Sequence, residues 1–362
     1  MELKDLKKLV KWSLDEFSAL PWRMNRSMYT TLVSEIMLQQ TNVSTVLNHY
    51  ENFLIAYPNI YTLAESTEEE ICLAWRGLGY YSRARRLRDI CIHVVKYFEG
   101  VIPSTLEDLQ NLKGIGPYTA NALIAIGANK KALAIDANLE RVLSRYYSGY
   151  GEIPKGPKLQ KKLLEDFNAN KIFFNLDKEK IQFRNINEAL MDLGRKYCQA
   201  TKTQCELCKL NSTCDYYQNY YLKNLNVPLS STKKISKYLE LSLLRVIVSN
   251  SKNEIIAYQK SNKQWLSGQF EIPTFVLEAE EPNFFQYPRI KNFNFDHILF
   301  FKSCITKYKI KNYVVKMSMG NFKNLLKENN LSFQEMGYDL FENHKKINYS
   351  TATFKSLQFD PL

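Results

Sequence analysis

Apolar residues recur every three to four positions through the first two-thirds of the chain. Val43, Val46, Leu47, Tyr50, Phe53, Leu54 and Tyr57 make one such stripe, and Ala84, Leu87, Ile90, Cys91, Val94, Val95 and Phe98 make another. This spacing predicts amphipathic helices. Thr67-Glu68-Glu69-Glu70 and Ser104-Thr105-Leu106-Glu107 set a hydroxyl three residues ahead of a carboxylate, the form of a helix-starting capping box. After Cys214 the texture changes. Residues 216–237 are polar, aromatic and basic, with Pro228 and Ser230-Ser231, and read as a linker. Beyond it, runs rich in β-branched and aromatic residues at 241–248, 254–258, 270–275, 298–305 and 313–317 are separated by Asn, Gly and Pro, which predicts strands. The chain is therefore expected to be multidomain: an all-α domain over 1–215, a linker over 216–237, and a smaller α+β domain over 238–362.

Composition narrows the class without deciding it. The 362 residues are 45% hydrophobic and 24% charged, enough for packed cores and against disorder. No apolar run reaches membrane-spanning length, and the charged opening Met1-Glu2-Leu3-Lys4-Asp5-Leu6 lacks the core of a secretory signal. A cytoplasmic protein, nucleoid-associated if bacterial, with no membrane partner is expected. The net charge of +12 is spread over both parts of the chain. Such a balance suits a protein lying along a polyanion, and equally a basic protein with no nucleic-acid role. Seven cysteines, an odd number, argue against a disulfide framework. Cys72, Cys91 and Cys304 are expected to be small buried hydrophobes.

Three segments carry candidate chemistry. Cys198, Cys205, Cys208 and Cys214 fall within one short stretch, a single CxxC pair flanked by one cysteine on each side. Thiolates are soft ligands for zinc or iron–sulfur clusters, but zinc ribbons space two CxxC pairs farther apart. Next, Leu112-Lys113-Gly114-Ile115-Gly116-Pro117-Tyr118-Thr119-Ala120 combines two turn-forming glycines with a proline suited to the first turn of a helix. That is either an ordinary helical corner or a hairpin whose free amides receive a phosphate. Asp136 follows twenty residues after Gly116, at the start of Asp136-Ala137-Asn138-Leu139-Glu140, where it would cap a helix. Finally, Pro21-Trp22-Arg23 precedes a helix containing Ser34-Glu35-Ile36-Met37-Leu38-Gln39-Gln40-Thr41, with Glu35 opposite its apolar stripe.

Together these segments, with Gly77-Leu78-Gly79-Tyr80-Tyr81-Ser82-Arg83-Ala84-Arg85 and Asn187-Glu188-Ala189-Leu190-Met191-Asp192-Leu193-Gly194, resemble the MutY-type adenine DNA glycosylases of the endonuclease III superfamily. The resemblance runs from about residue 20 to 214. It implies a helix–hairpin–helix glycosylase domain with a [4Fe–4S] cluster on Cys198, Cys205, Cys208 and Cys214, followed by a Nudix-like domain. It implies excision of adenine mispaired with 8-oxoguanine or guanine in double-stranded DNA, by a monomer. Glu35 would protonate the leaving base and Asp136 would stabilise the sugar cation, with Tyr118 and Asn138 beside it. Trp22, Arg23 and Glu188 would line the adenine pocket. Strand-cleaving members carry a Schiff-base lysine two residues beyond Gly116; Tyr118 stands there instead, which implies a monofunctional hydrolase.

Among DNA contacts, the resemblance assigns Gln40 and Tyr80 to a wedge in the duplex. Gln40 equally closes an apolar stripe, whereas Gly77 and Gly79 favour an exposed Tyr80. Gly114 and Gly116 would sit at the backbone, and Arg83, Arg85, Arg86 and Arg88 are phosphate contacts or a solvated helix face. In the second domain, Trp265-Leu266-Ser267-Gly268-Gln269-Phe270-Glu271-Ile272-Pro273 resembles the Trp-Glu-Phe-Pro segment of Nudix-like domains, although the Glu-rich magnesium box is absent. Phe295, Asp296 and His297 fall where the family has a lesion-contacting Phe-Ser-His. Asp296 for serine, Lys113 for proline and Ala137 for glycine are departures. A mismatch glycosylase for another base, or a non-catalytic DNA-binding relic, would share the core, and Glu35, Glu188 and Asp136 together argue against both.

Overall fold

The computed structural model describes the whole chain except residues 148–154, 174–180, 224–237, 251, 253, 262, 292, 294–297, 299, 343–346 and 359–362. It divides into two compact units, Met1–Ser231 and Thr232–Leu362.

The first unit is helical. α1 (Leu3–Phe17), α2 (Pro21–Met24), α3 (Met28–Leu38), α4 (Val43–Ala56), α5 (Ile60–Glu65), α6 (Glu68–Ala74) and α7 (Ser82–Phe98) are followed by the hairpin pair α8 (Leu106–Asn111) and α9 (Pro117–Ala122). α9 runs on into a π-helical turn, Leu123–Gly127, and then come α10 (Ala137–Tyr146), α11 (Pro157–Asn168) and α12 (Phe183–Lys196). Local chemistry sets the starts. Thr67 and Glu70 close a capping box on α6, whereas on α8 the cap is Thr105, bonded to Asp108 and not paired as Ser104 with Glu107. α3 is buried on every side from Thr31 to Met37, so it is the unit's central helix. Its helix stops at Leu38, short of the expected Thr41, and Gln40 turns left-handed at φ 54°. α1 packs on α12, and with α10 and α11 they enclose an apolar core around Leu6, Leu9, Leu139, Leu163 and Leu190.

The second unit is an α/β arrangement. β1 (Leu239–Val248), β2 (Glu254–Gln259), β3 (Phe270–Glu271), β4 (Thr274–Ala279), β5 (Phe300–Ile305), β6 (Tyr308–Met317) and β7 (Asp339–Glu342) form two sheets, ordered β4-β1-β6-β5 and β3-β2-β7. β1 runs parallel to β6 and antiparallel to β4. Its buried run of eight residues is what a strand covered on both faces requires. α13 (Met319–Glu328) covers one face, with Phe322 and Leu326 against Leu244, Val246 and Phe275, and α14 (Thr351–Gln358) closes the chain. The single strand expected over 270–275 is two, broken at Pro273, which has no amide to give a ladder. β6 begins five residues earlier than expected. Cys72 and Cys91 are buried, but Cys304 is exposed, because β5 is an edge strand with alternating exposure. Within this unit Glu271 is almost fully buried between Arg245 and Lys260, which hold its carboxyl down at about 2 against the opposing pull of burial.

Among the described residues no helix is long and apolar enough to cross a membrane.

Candidate active site

Five helices converge on one cleft of about 370 Å³ in the helical unit. α2 brings Trp22 and Arg23, α3 brings Ser34, Glu35 and Leu38, the first turn of α9 brings Tyr118, and α10 brings Asp136 and Asn138. α12 completes the wall with Glu188, Met191, Asp192 and Arg195. The expected catalytic and pocket residues Glu35, Tyr118, Asp136, Asn138, Trp22, Arg23 and Glu188 thus lie around a single space. Such a volume is of the size that accepts a small planar ligand.

Glu35 is only 7% exposed although it lies opposite the apolar stripe of α3. Both faces of that helix are covered, one by core and one by the cleft. Burial pushes its carboxyl up to about 7, the negative charges of Asp136 and Glu188 add to this, and the donating Tyr118 hydroxyl opposes it. Burial likewise raises the Tyr118 phenol far above its usual range, so it stays a proton donor.

Asp136 is the N-cap of α10. Its Oδ1 accepts from the amides of Asn138 and Leu139 at 2.9 and 2.7 Å, and its Oδ2 from Asn138 Nδ2 at 2.7 Å. Three donors and the start of a helix fix the position of both its oxygens at the cleft. Asn138 is itself held by Arg141, whose guanidinium also reaches the Cys198 and Gly194 carbonyls.

Glu188 and Asp192 bind a set of cations that the sequence did not pair with them. Arg26 grips Glu188 through both oxygens, at 3.2 and 2.5 Å, and Arg23 Nη1 reaches Asp192 at 2.9 Å. Arg23 Nε lies 3.6 Å from Glu188 Oε1, an ion pair too long for a hydrogen bond. Arg195 and Ser13 complete the shell of Asp192. Burial pushes the Glu188 carboxyl above its usual value, with Arg23 and Arg26 opposing. Arg26 and Asp192 escaped the sequence reading because nothing in the local spelling distinguishes them from surface charges.

The residues expected to touch DNA divide. Gln40 is exposed, and Tyr80 is 57% exposed directly after the Gly77-Leu78-Gly79 turn, at φ 48°. Gly114 has φ 104° and Gly116 caps α9, so the hairpin has the tight turn its glycines suggest. Arg85 is half-buried and paired with Glu68. Arg83 corrects the expectation of a phosphate contact. It is 4% exposed, and its guanidinium is spent on backbone carbonyls and Thr41 inside the protein. Phe295, Asp296 and His297 lie outside the described residues.

The four clustered cysteines line a second, mostly apolar cavity with Arg145, Tyr216 and Tyr217. Burial raises Cys208 to about 11 and Cys214 to about 12, and the neighbouring thiols reinforce this. Arg145 Nη1 lies 3.2 Å from Cys198 Sγ. No group of three or more His, Cys, Asp and Glu side chains among the described residues is disposed to hold a single metal ion. The cavity is walled by four thiols, which are soft ligands.

Comparison with known proteins fits this geometry. Residues 33–168 match the model of the HhH-GPD superfamily base excision DNA repair protein, a span that contains Glu35, Tyr118 and Asp136. The adenine DNA glycosylase of Buchnera aphidicola subsp. Baizongia pistaciae is 33% identical over 261 residues, 72% of this chain and 70% of the relative. The human adenine DNA glycosylase is 34% identical over 218 residues, 57% of this chain and 38% of the relative. A thermostable thymine-DNA glycosylase structure superposes with a TM-score of 0.52 at 26% identity, over 59% of this chain and 95% of its own.

Proposed function

The chain belongs to the adenine DNA glycosylase family, within the HhH-GPD superfamily, and we propose that it removes adenine from double-stranded DNA by hydrolysis, with Glu35 as acid and Asp136 as counter-anion. One observation carries this reading. A buried carboxyl poised at about 7 shares a cleft with a second carboxyl, Asp136, whose oxygens are fixed by the cap of α10. A raised acid beside a second, rigidly held carboxyl is the pairing that glycosidic cleavage uses as acid and counter-anion.

A stacked adenine must first leave the duplex to enter the cleft. Glu35 gives its proton to N7, the N9–C1′ bond breaks, and its electron pair leaves with a neutral adenine. The sugar is left as an oxocarbenium ion, which the Asp136 carboxylate faces. Glu35, now ionised, takes a proton from water while the oxygen bonds to C1′. One water is consumed, adenine and an abasic site are formed, and Glu35 is again protonated. Glu188, Trp22 and Arg23 line the base pocket. Tyr118 stands where a Schiff-base amine would, so the strand is left uncut. Thymine, suggested by the structural relative, offers no N7 for Glu35 to protonate and has less support.

Cys198, Cys205, Cys208 and Cys214 fit a [4Fe–4S] cluster: four soft thiolates around one cavity, with no hard ligand among them. When bound, the cluster would cross-link the 198–214 loop; the chemistry above takes no step through it. The second unit is read as Nudix-like and as checking the base opposite adenine through Phe295, Asp296 and His297. That part rests on the sequence resemblance, as does the monomeric state.

The test is single-turnover release from duplexes with adenine opposite 8-oxoguanine, guanine or cytosine. Adenine release with strand scission only after alkali is the expected result, fastest opposite 8-oxoguanine. Equal rates on all three would remove the lesion check and leave the chemistry. Release of thymine and not adenine would overturn the assignment.

A further inference from the structure

Arg83 has six acceptors around its two terminal nitrogens. Nη1 donates to the carbonyls of Ile36, Met37 and Gln39 at 3.0, 2.8 and 2.5 Å. Nη2 donates to Thr41 Oγ1 and the carbonyls of Leu78 and Gly79 at 2.9, 3.0 and 3.1 Å. Those nitrogens carry four N–H groups, so some bonds are shared between acceptors. The acceptors come from two places far apart in sequence, the end of α3 with the turn after it, and the turn before α7. Ile36 and Met37 belong to the last turn of α3, where carbonyls lack helical partners and a cation is favoured.

Each of these turns lifts one exposed side chain at positive φ: Gln40 at 54° and Tyr80 at 48°. A non-glycine residue held there is strained and persists only where its surroundings enforce it. Here the enforcement is visible. Arg83 binds on either side of Gln40, at the Gln39 carbonyl and the Thr41 hydroxyl, and also binds the carbonyl just before Tyr80. Trp75 Nε1 adds a 3.1 Å bond to the same Gly79 carbonyl. The guanidinium also lies over the rings of Trp75 and Tyr80, each 5.6 Å away. Leu38, Thr41, Asn42 and Val43 line the cleft, which puts Gln40 on its rim.

We propose that Arg83 is a positioning residue for base extrusion: it locks the Gln40 and Tyr80 turns together as a two-sided wedge at the mouth of the adenine cleft. This rests on the glycosylase reading above. Arg83 touches neither base nor sugar; it fixes the spacing of two side chains that would occupy the gap in the stack. A lysine keeps the charge at the end of α3 but not the fork that spans both turns.

The experiment compares wild type with Arg83→Lys on two substrates. One is a fully stacked duplex with adenine opposite guanine; the other has the same adenine opposite an abasic site, where extrusion costs less. The expected result is a loss of about 10- to 100-fold in single-turnover release from the stacked duplex and less than about threefold from the open one, since each tenfold corresponds to about 1.4 kcal/mol of extrusion cost. Equal losses on both, or none on either, would overturn the proposal. Fluorescence of 2-aminopurine beside the target adenine reads extrusion without cleavage. Wild type raises it and Arg83→Lys does not; a rise in both, or in neither, would also overturn the proposal. A wild type that raises fluorescence yet releases no adenine would instead refute the catalytic reading. Should Arg83→Lys fail to fold, Trp75→Phe removes the second bond to Gly79 and is expected to lose rate on the stacked duplex alone, by a smaller factor.

Discussion

Replacing Glu35 with glutamine separates what the carboxyl does for catalysis from what it does to the fold. Glutamine keeps the shape and the hydrogen-bonding capacity but cannot deliver a proton. General acid–base catalysis by a positioned group is worth on the order of 10²- to 10⁴-fold, and a loss in that range is expected for Glu35→Gln. In wild type the acid must be protonated, so release should be fastest below pH 7 and fall about tenfold per pH unit well above it. Stability should fall with rising pH as well. The folded carboxyl is raised from 4.5 to about 7, so its favourable contribution is complete below pH 4.5 and is lost as pH rises through 7. Above that, the buried carboxylate costs the fold ~3 kcal/mol, at 1.36 kcal/mol for each unit between the two values. Glu35→Gln removes that cost, so urea unfolding at pH 8.5 should show a variant more stable than wild type by up to that amount. The same comparison at pH 4.5 should show little difference of this origin. A variant releasing adenine within tenfold of wild type, or a stability difference unchanged between the two pH values, would refute the reasoning.

Three further outcomes follow from the same contacts. Asp136→Asn keeps an N-cap acceptor but removes the charge, so excision should fall by at least about 10²-fold while stability changes by less than ~1 kcal/mol in thermal unfolding. Cys208→Ser should abolish the iron and the acid-labile sulfide measured in the purified protein; full retention of both would exclude Cys208 as a ligand. Glu271→Gln leaves Arg245 and Lys260 buried without their carboxylate and should destabilise the second unit by about 3–5 kcal/mol in urea unfolding.

Much of the site can be read from the sequence because each part is a short segment with its own local grammar. The glycines and proline of 114–117 specify a tight turn into a helix, and Asp136 followed by Ala137-Asn138-Leu139 specifies a cap. Neither depends on distant partners. Arg83 could not be read in that way. Its neighbours in sequence are other arginines, which suggests a charged surface, whereas its partners are backbone carbonyls, which carry no letter in the sequence. The carbonyls at the end of α3 likewise receive their donor, the Arg83 guanidinium, from α7, so the helix's length cannot be judged from residues 34–41 alone. Glu188 was legible as a pocket residue, but its grip by Arg26 crosses the whole unit. In the second unit, Pro273 was visible in a run of strand formers and still under-weighted, and β7 is only four residues long.

The helix cap at residue 136 also shapes how this protein can fail. A side chain that both starts a helix and supplies the reacting charge can lose the second duty and keep the first. An asparagine there keeps a cap acceptor for the Asn138 and Leu139 amides, so a folded protein that lacks the charge is the expected product.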